Sequence, residues 1–263
     1  MPAGDDGLVL PGDRTLGCLL VHGLTATPDE MRPLAERLAA AGFPVRVVRL
    51  AGHDTSPDDL ARTRWQDWLA SVEAGFAALR EATSRVAVVG FSTGGLLALR
   101  LAAERGAEVE ALVLCAAALS LRTPGLWALP WLCRVPAVRR RLAMLPKGGR
   151  DIADPGARVT SRAYDRIPVG ALLDLLDLQH RVGAELGRVR QPALLLHGRH
   201  DHTVPLDCQE RLRRGLGGRW IEAHVLERSW HVLPEDHDRD EVGRLAADFL
   251  GRVERDDPGA ARP

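Results

Sequence analysis

The sequence predicts an α/β fold: a doubly wound, mostly parallel sheet with helices on both faces and a helical cap inserted into it. From residue 17 to residue 115, apolar runs alternate with segments of helical periodicity, which is typical of a parallel sheet. The run 17–21 has no polar alternation, as expected of a strand buried on both faces. The length of 263 residues suits one large domain of this kind or two small ones.

The predicted elements follow one another in a regular order. Buried or short apolar runs predict strands at 7–10, 17–21, 44–50, 86–89, 109–115, 192–197 and 221–226. Apolar residues at spacings of three and four predict two helices, through Leu34, Ala35, Leu38 and Ala41 and through Trp65, Trp68, Leu69, Val72, Phe76 and Leu79. Further helices are predicted over 96–105, 206–216 and 242–253.

The alternation of strands and helices stops after the strand ending near Cys115 and resumes at Pro192. The segment between them is rich in Pro, Trp and Arg and shows no pattern of a buried strand, while apolar residues from 172 to 186 indicate one helix. We therefore predict a core domain of residues 1–117 and 188–255, an inserted cap of residues 118–187 and a disordered tail of residues 256–263.

Composition and charge exclude several classes of function. Lys and Arg number 35, as do Asp and Glu, so no basic excess indicates a nucleic-acid partner. The N-terminus lacks the features of a signal peptide, and no run reaches the roughly 18 apolar residues of a membrane helix. The four Cys form no C-x-x-C pair, and no carboxylate–histidine set has zinc-like spacing. We predict a cytoplasmic protein with no cofactor, metal or integral membrane segment; the sequence leaves its oligomeric state open.

The basic residues are almost all Arg. Lys147 is the only Lys in the chain, an imbalance that we attribute to codon bias.

Residues 90–94, Gly-Phe-Ser-Thr-Gly, fit the pattern G-x-S-x-G between a predicted strand and a predicted helix. This pattern is typical of a sharp turn with the Ser at its apex, and Gly90 and Gly94 leave room where the helix folds back on the strand. Ser92 would then project above the sheet at the N-terminus of a helix. Backbone N–H groups and the helix dipole favour a developing oxyanion there.

A serine nucleophile needs a base and a carboxylate that orients the base. Asp201 follows the predicted strand 192–197, and His231 follows the predicted strand 221–226. Both lie beyond the C-terminal ends of buried strands, where an open parallel sheet binds its ligands. Less well placed rivals are Asp174, Asp177, Asp207, His224 and His237.

In these segments the chain resembles the α/β-hydrolases, and most of all small bacterial carboxylesterases related to monoacylglycerol lipases. The matching segments are LLVHGLTAT (19–27), GH (52–53), GFSTGG (90–95), RHD (199–201) and SWHV (229–232). The chain order Ser, Asp, His is also that of this superfamily. The resemblance implies an α/β-hydrolase fold that lacks the first strand or two of the larger members, and an activity on esters.

The resemblance also implies a role for individual residues. Ser92 would be the nucleophile, His231 the general base and then acid, and Asp201 the orienting carboxylate. The backbone N–H groups of Leu24 and Thr93 would form the oxyanion hole.

Two departures from the family pattern concern these loops. Asp54 follows Gly52-His53 where the family often has Gly, and Thr93 stands where a larger residue is common. We interpret His22 and His53 as residues that brace the loops around them.

The first hypothesis is a serine carboxylesterase acting on apolar short- to medium-chain esters, with monoacylglycerols as candidate substrates and an acyl-Ser92 intermediate. The second keeps the three residues but changes the chemistry, to a carbon–carbon bond hydrolase, a thioesterase or a perhydrolase. The third is a non-catalytic ligand-binding protein on the same fold. In the first hypothesis the cap lines the substrate pocket, for which we predict Trp127, Leu172, Leu173 and Leu176.

Overall fold

The computed structural model describes residues 7–123, 125–135, 137 and 142–255. Within this part of the chain the strands are β1 (Val9–Leu10), β2 (Leu16–Val21), β3 (Val45–Val48), β4 (Arg85–Phe91), β5 (Ala111–Cys115), β6 (Met144–Pro146), β7 (Arg166–Pro168), β8 (Ala193–Gly198) and β9 (Ile221–Leu226). The α-helices are α1 (Arg32–Ala40), α2 (Pro57–Leu60), α3 (Trp65–Ala82), α4 (Thr93–Arg105), α5 (Leu129–Leu132), α6 (Pro155–Thr160), α7 (Val169–Glu185), α8 (Asp207–Gly215) and α9 (Arg239–Glu254). The predicted disordered tail, residues 256–263, lies outside the described residues.

Seven strands form one sheet in the order β1-β3-β2-β4-β5-β8-β9. The pairs from β3 to β9 are parallel, and β1 pairs antiparallel with β3 at the edge. The prediction of a mostly parallel sheet with α/β-hydrolase architecture is therefore confirmed.

The two faces of the sheet carry separate apolar layers. On one face, Leu16 and Leu20 of β2 pack in a buried cluster with residues of α1 and α9. On the other, Leu19 packs with residues of α3, α4 and α7. Successive side chains of a strand point to opposite faces, so a strand that is apolar at every position joins both layers. These layers fix the strand ends from which the site is built.

Short polar elements differ from the sequence prediction. The first helix begins as a 3₁₀ turn over Pro28–Met31, and helix α2 was not predicted because it lacks an apolar stripe. Helix α2 is specified instead by its cap, because the Ser56 side chain accepts a hydrogen bond of 3.1 Å from the N–H of Asp59. Strands β6 and β7 form a separate antiparallel pair, which we call the ribbon, and were missed because they are short and only partly buried.

Helix α7 is the one helix that the sequence indicated in the inserted segment, and it lies against α3 and α4. Arg64 pairs with Asp174 at 2.9 Å, the indole N–H of Trp65 donates to Asp177 at 2.8 Å, and Arg100 pairs with Glu185. None of the helices in the described ranges has both the length and the apolar character needed to cross a membrane.

Candidate active site

The ends of four parallel strands meet at one edge of the sheet. Val21 of β2 lies opposite Gly90 of β4, and Phe91 lies opposite Cys115 of β5. Cys115 in turn lies opposite Leu196 of β8. Segments that follow these strands, at residues 22–25, 92–93, 116–118 and 199–204, therefore converge on the same place.

Ser92 occupies a sharp turn between β4 and α4. Its backbone lies at φ 53° and ψ −114°, a conformation that residues other than glycine rarely adopt. A Cβ on Gly90 would approach the carbonyl oxygen of Gly94 to 2.4 Å, and one on Gly94 would approach that of Val21 to 2.1 Å. Both positions thus require glycine for close backbone approach, and Ser92 is held at the apex.

The structure brings Ser92, His231 and Asp201 together from three separate loops. Ser92 Oγ lies 3.0 Å from His231 Nε2, and His231 Nδ1 lies 2.8 Å from Asp201 Oδ2. A carboxylate accepts hydrogen bonds only, so His231 Nδ1 carries the proton and Nε2 of the neutral ring accepts from the Ser92 hydroxyl. The three side chains are buried. This arrangement can remove a proton from Ser92 and return it to a leaving group.

Asp201 is held as an anion by its surroundings. Its Oδ1 accepts the N–H groups of Thr203 and Val204 at 2.8 and 2.7 Å. Burial alone would raise the pKa of Asp201, but His231, His197 and the Val204 N–H outweigh it and hold that pKa well below its usual value. His197 flanks this carboxylate, and the sequence did not predict its contact: its Nε2 lies 3.3 Å from Asp201 Oδ2 and 3.2 Å from the Val204 carbonyl oxygen.

The rival residues lie elsewhere. Asp174 and Asp177 lie on α7, where they bond Arg64 and Trp65. Asp207 opens α8, His224 lies within β9, and His237 is exposed.

Leu24 and Thr93 lie on two segments that touch. A Cβ on Gly94 would also come within 2.6 Å of the His22 carbonyl oxygen, so the first turn of α4 packs directly on the turn after β2. Among the described residues, neither the Leu24 N–H nor the Thr93 N–H has a hydrogen-bond partner. An unpaired N–H at the N-terminus of α4 and a second one in the adjoining turn can stabilise a developing negative charge.

Two buried histidines support the turn that contains Leu24. The Leu50 N–H lies 3.3 Å from His22 Nε2, and His22 Nδ1 lies 2.9 Å from the Gly23 carbonyl oxygen. The rings of His22 and His53 are 5.1 Å apart, edge to face, and His53 Nδ1 bonds the Ala51 carbonyl. Burial lowers the pKa of His22 to about 4 and that of His53 to about 3, so both rings are neutral near pH 7.

The inserted segment contributes a residue that sequence reasoning missed. The Asp151 carboxylate accepts from the His202 N–H and the Thr203 hydroxyl, at 2.9 and 2.8 Å, and lies 2.8 Å from His202 Nδ1. Its carbonyl oxygen accepts the N–H groups of His231 and Val232. Asp151 therefore joins the loop of Asp201 to the loop of His231, and no local sequence pattern predicts a contact between residues so far apart in sequence.

The predicted pocket residues lie on α7 and in the preceding segment. Leu172 is buried in the cluster beside α3 and α4, Leu173 packs on its edge, and Leu176 is partly buried. Leu24 packs on the edge of the same cluster. The side chain of Trp127 lies outside the described part of the structure.

Comparisons with known proteins agree with this geometry. Residues 14–238 match the family model described as serine aminopeptidase, S33. The thermostable monoacylglycerol lipase of Bacillus sp. (strain H-257) is 33% identical over 244 residues, 90% of this chain and 91% of the lipase. The carboxylesterase of Bacillus subtilis (strain 168) is 22% identical over 92% of this chain and 94% of the esterase. A solved structure from work on LipS and LipT, two metagenome-derived lipolytic enzymes, has a TM-score of 0.86 at 32% identity, covering 95% of this chain and 98% of that one.

Proposed function

The chain belongs to the serine aminopeptidase S33 family of α/β-hydrolases and is an ester-hydrolysing serine hydrolase, and on this premise we propose that it cleaves apolar carboxylic esters through an acyl-Ser92 intermediate. The observation that carries the proposal is the hydrogen-bonded series from Ser92 through His231 to Asp201. The proposed substrates are esters of short to medium acyl chain, including monoacylglycerols.

In the acylation step, Ser92 Oγ forms a bond to the ester carbonyl carbon while His231 Nε2 takes the hydroxyl proton. The carbonyl oxygen becomes an oxyanion, to which the N–H groups of Leu24 and Thr93 donate hydrogen bonds. As the intermediate collapses, the bond to the alcohol oxygen breaks and His231 returns its proton to that oxygen. The alcohol leaves, and Ser92 carries the acyl group.

In the deacylation step, water attacks the acyl carbon and gives its proton to His231 Nε2. The second intermediate releases the carboxylic acid as the proton passes to Ser92 Oγ. Asp201 accepts from His231 Nδ1 throughout and stabilises the imidazolium that forms in each step. Its carboxylate is suited to this role because its hydrogen bonds keep it ionised.

We also propose that residues 118–187 form a cap over the C-terminal edge of a core made of residues 1–117 and 188–255. Two contacts support placing the cap over this edge of the sheet. Asp151 bonds the loops of Asp201 and His231, and Lys147 bonds Thr25 beside Leu24. Half-buried apolar side chains on the same cluster as Leu24 supply an apolar lining for an acyl chain; they include Leu121, Leu126, Leu145, Ile167 and Leu173.

A substrate panel tests the proposal: p-nitrophenyl esters from acetate to palmitate, a monoacylglycerol, a thioester and an aminoacyl p-nitroanilide. We expect kcat/KM to be highest for esters and to peak at about four to eight acyl carbons, because each buried methylene is worth about 0.8 kcal/mol until the pocket is full. Preferred turnover of the thioester or the anilide would contradict the proposed substrate class.

Variants of α7 test the pocket separately from the chemistry. Leu172→Ala, Leu173→Trp and Leu176→Trp should shift the preferred chain length while Ser92 still reacts with a small fluorophosphonate. Folded variants that all keep the wild-type profile would show that α7 does not line the acyl site.

A further inference from the structure

We propose that Lys147 is a positioning residue for the oxyanion loop, defined here as residues 23–25. In this inference, which rests on the proposed function, the Lys147 ammonium fixes Thr25 so that the neighbouring Leu24 N–H points at the developing oxyanion. Lys147 thus acts through Thr25 and touches neither substrate nor reacting atoms.

The oxyanion loop has a backbone conformation that must be held from outside. Thr25 lies at φ 68°, in the left-handed region, although it is a β-branched residue. Such a conformation costs free energy and persists only when neighbouring contacts maintain it. Thr25 is almost fully buried, so those contacts come from the protein and not from water.

The holding contacts come from the end of the ribbon. Lys147 Nζ donates to Thr25 Oγ1 at 2.9 Å, and the Tyr164 N–H donates to the Thr25 carbonyl oxygen at 2.8 Å. Lys147 and Tyr164 lie on opposite arms, tied by a 2.8 Å hydrogen bond from the Lys147 N–H to the Asp165 carbonyl oxygen. Residues just beyond both strands of the ribbon therefore bond Thr25, the residue that follows Leu24.

The other side of the loop is held by the core. The Gly23 N–H donates to Glu30 Oε2 at 3.1 Å, and Glu30 is buried. With Gly23 fixed by Glu30 and Thr25 fixed by Lys147, the loop is anchored on both sides of Leu24. Burial raises the pKa of Glu30, and the Gly23 N–H and the Lys147 ammonium oppose that rise only in part.

The choice of residue type is consistent with this role. Lys147 is the only Lys among 35 basic residues. An ammonium on a flexible stem presents a compact charge to one hydroxyl, whereas the planar fork of Arg suits paired acceptors. Within the described residues the Lys147 ammonium donates to one buried hydroxyl, a contact that suits Lys better than Arg.

Loss of the Lys147–Thr25 hydrogen bond should weaken stabilisation of the transition state and leave substrate binding in the ground state nearly unchanged. The oxyanion exists only after Ser92 has attacked, so a misdirected Leu24 N–H should lower kcat and leave KM nearly unchanged. Removing an oxyanion-hole donor outright costs about 10²–10³ in kcat, and loosening one should cost a part of that, about tenfold.

The experiment compares Lys147→Met, Thr25→Val and the double variant with wild type. The readouts are kcat and KM for the best ester of the panel, the affinity for 1-butaneboronic acid, whose tetrahedral Ser adduct mimics the intermediate, and Tm. The matched control is Arg166→Met, a basic residue of the ribbon that, within the described residues, forms no hydrogen bond or ion pair with the oxyanion loop.

We expect Lys147→Met to lower kcat about tenfold and to weaken the affinity for the boronic acid by a similar factor, with KM within about twofold. Tm should fall by a few degrees at most, as in Thr25→Val, because either change leaves one buried polar group without its partner. The double variant should be no slower than Thr25→Val alone, because both changes remove one interaction. Arg166→Met should match wild type. An active wild type with unchanged kcat in Lys147→Met, or additive losses, would overturn this inference alone, whereas a wild type inactive on every ester would overturn the proposed function.

Discussion

At the scale of single residues, the site depends on backbone positions that are held against their preference. Ser92 lies at φ 53° because β4, α4 and the turn after β2 approach too closely for any other path. Strain of this kind costs about 1–3 kcal/mol. It presents the hydroxyl to His231, and the packed core supplies the stability that offsets it.

Substitution of Ser92 should separate this strain from the chemistry. Ser92→Ala and Ser92→Gly should both lower kcat by several orders of magnitude, since both remove the proposed nucleophile. Ser92→Gly should have a higher urea midpoint than Ser92→Ala, because only glycine adopts this φ without strain. The difference in the free energy of unfolding should be about 1 kcal/mol. Equal midpoints, or a more stable Ala variant, would show that the turn is not strained.

The buried histidines predict a dependence of stability on acid. Their pKa values are lowered by burial to about 4 for His22 and about 3 for His53, against 6.5 in an unfolded chain. Between pH 6.5 and 4 the unfolded chain therefore binds more protons, and the free energy of unfolding falls as pH falls, by up to about 1.4 kcal/mol per pH unit for each ring.

Urea unfolding of wild type and His53→Gln at pH 7, 6, 5 and 4 measures this effect. The variant should lose about half of the slope that the two rings contribute, while carboxylates contribute equally to both proteins. Parallel curves for the two proteins would contradict a neutral, buried His53.

At the scale of elements, a residue from the segment between β5 and β8 contacts two loops at the strand ends. Asp151 bonds the loops of Asp201 and His231, and Asp201 receives further N–H bonds from its own turn. The loops at the strand ends are thus positioned partly by the sheet and partly by residues that lie far away in sequence.

Asp151→Ala should weaken both stability and catalysis. The change leaves the Thr203 hydroxyl and the His202 N–H without their acceptor, so we expect a loss of about 1–3 kcal/mol in the free energy of unfolding. A displaced acid loop should lower kcat about fivefold to tenfold. The control is Asp165→Ala, whose side chain is 86% exposed and which should change stability by less than about 0.5 kcal/mol. Equal effects of the two changes would argue against the proposed role of Asp151.

Features that depend on residues close together in sequence could be predicted, whereas contacts between residues far apart in sequence could not. Strands such as β2 and β4 were predictable because burial on both faces leaves a continuous apolar run. Ser92 and Asp201 each follow such a strand, whereas His231 follows the partly buried edge strand β9 and was assigned from its place after that strand and from the family resemblance. Asp151 and Lys147 were not identified, because each acts through one partner far away in sequence and no periodicity marks such a pair. The ribbon was missed because short, half-buried strands lack a distinctive pattern.

At the scale of the whole molecule, the sheet aligns the strand ends, and residues between β5 and β8 contact the loops that follow them. The sheet aligns the ends of β2, β4, β5 and β8, and the apolar layers on both faces keep them in register. In the proposed mechanism the chemistry depends on loops that carry Leu24, Ser92, Asp201 and His231. Because these loops meet only in the folded chain, one reaction at Ser92 reports on the complete arrangement.

Labelling with a fluorophosphonate, followed by intact mass and peptide mapping, measures that reaction most directly. We predict one label per chain, on the peptide that contains Ser92, with none on Ser92→Ala and labelling slowed by orders of magnitude on His231→Ala. A label that persists in Ser92→Ala, or that maps to another residue such as Ser229, would contradict the assignment of Ser92 as the nucleophile.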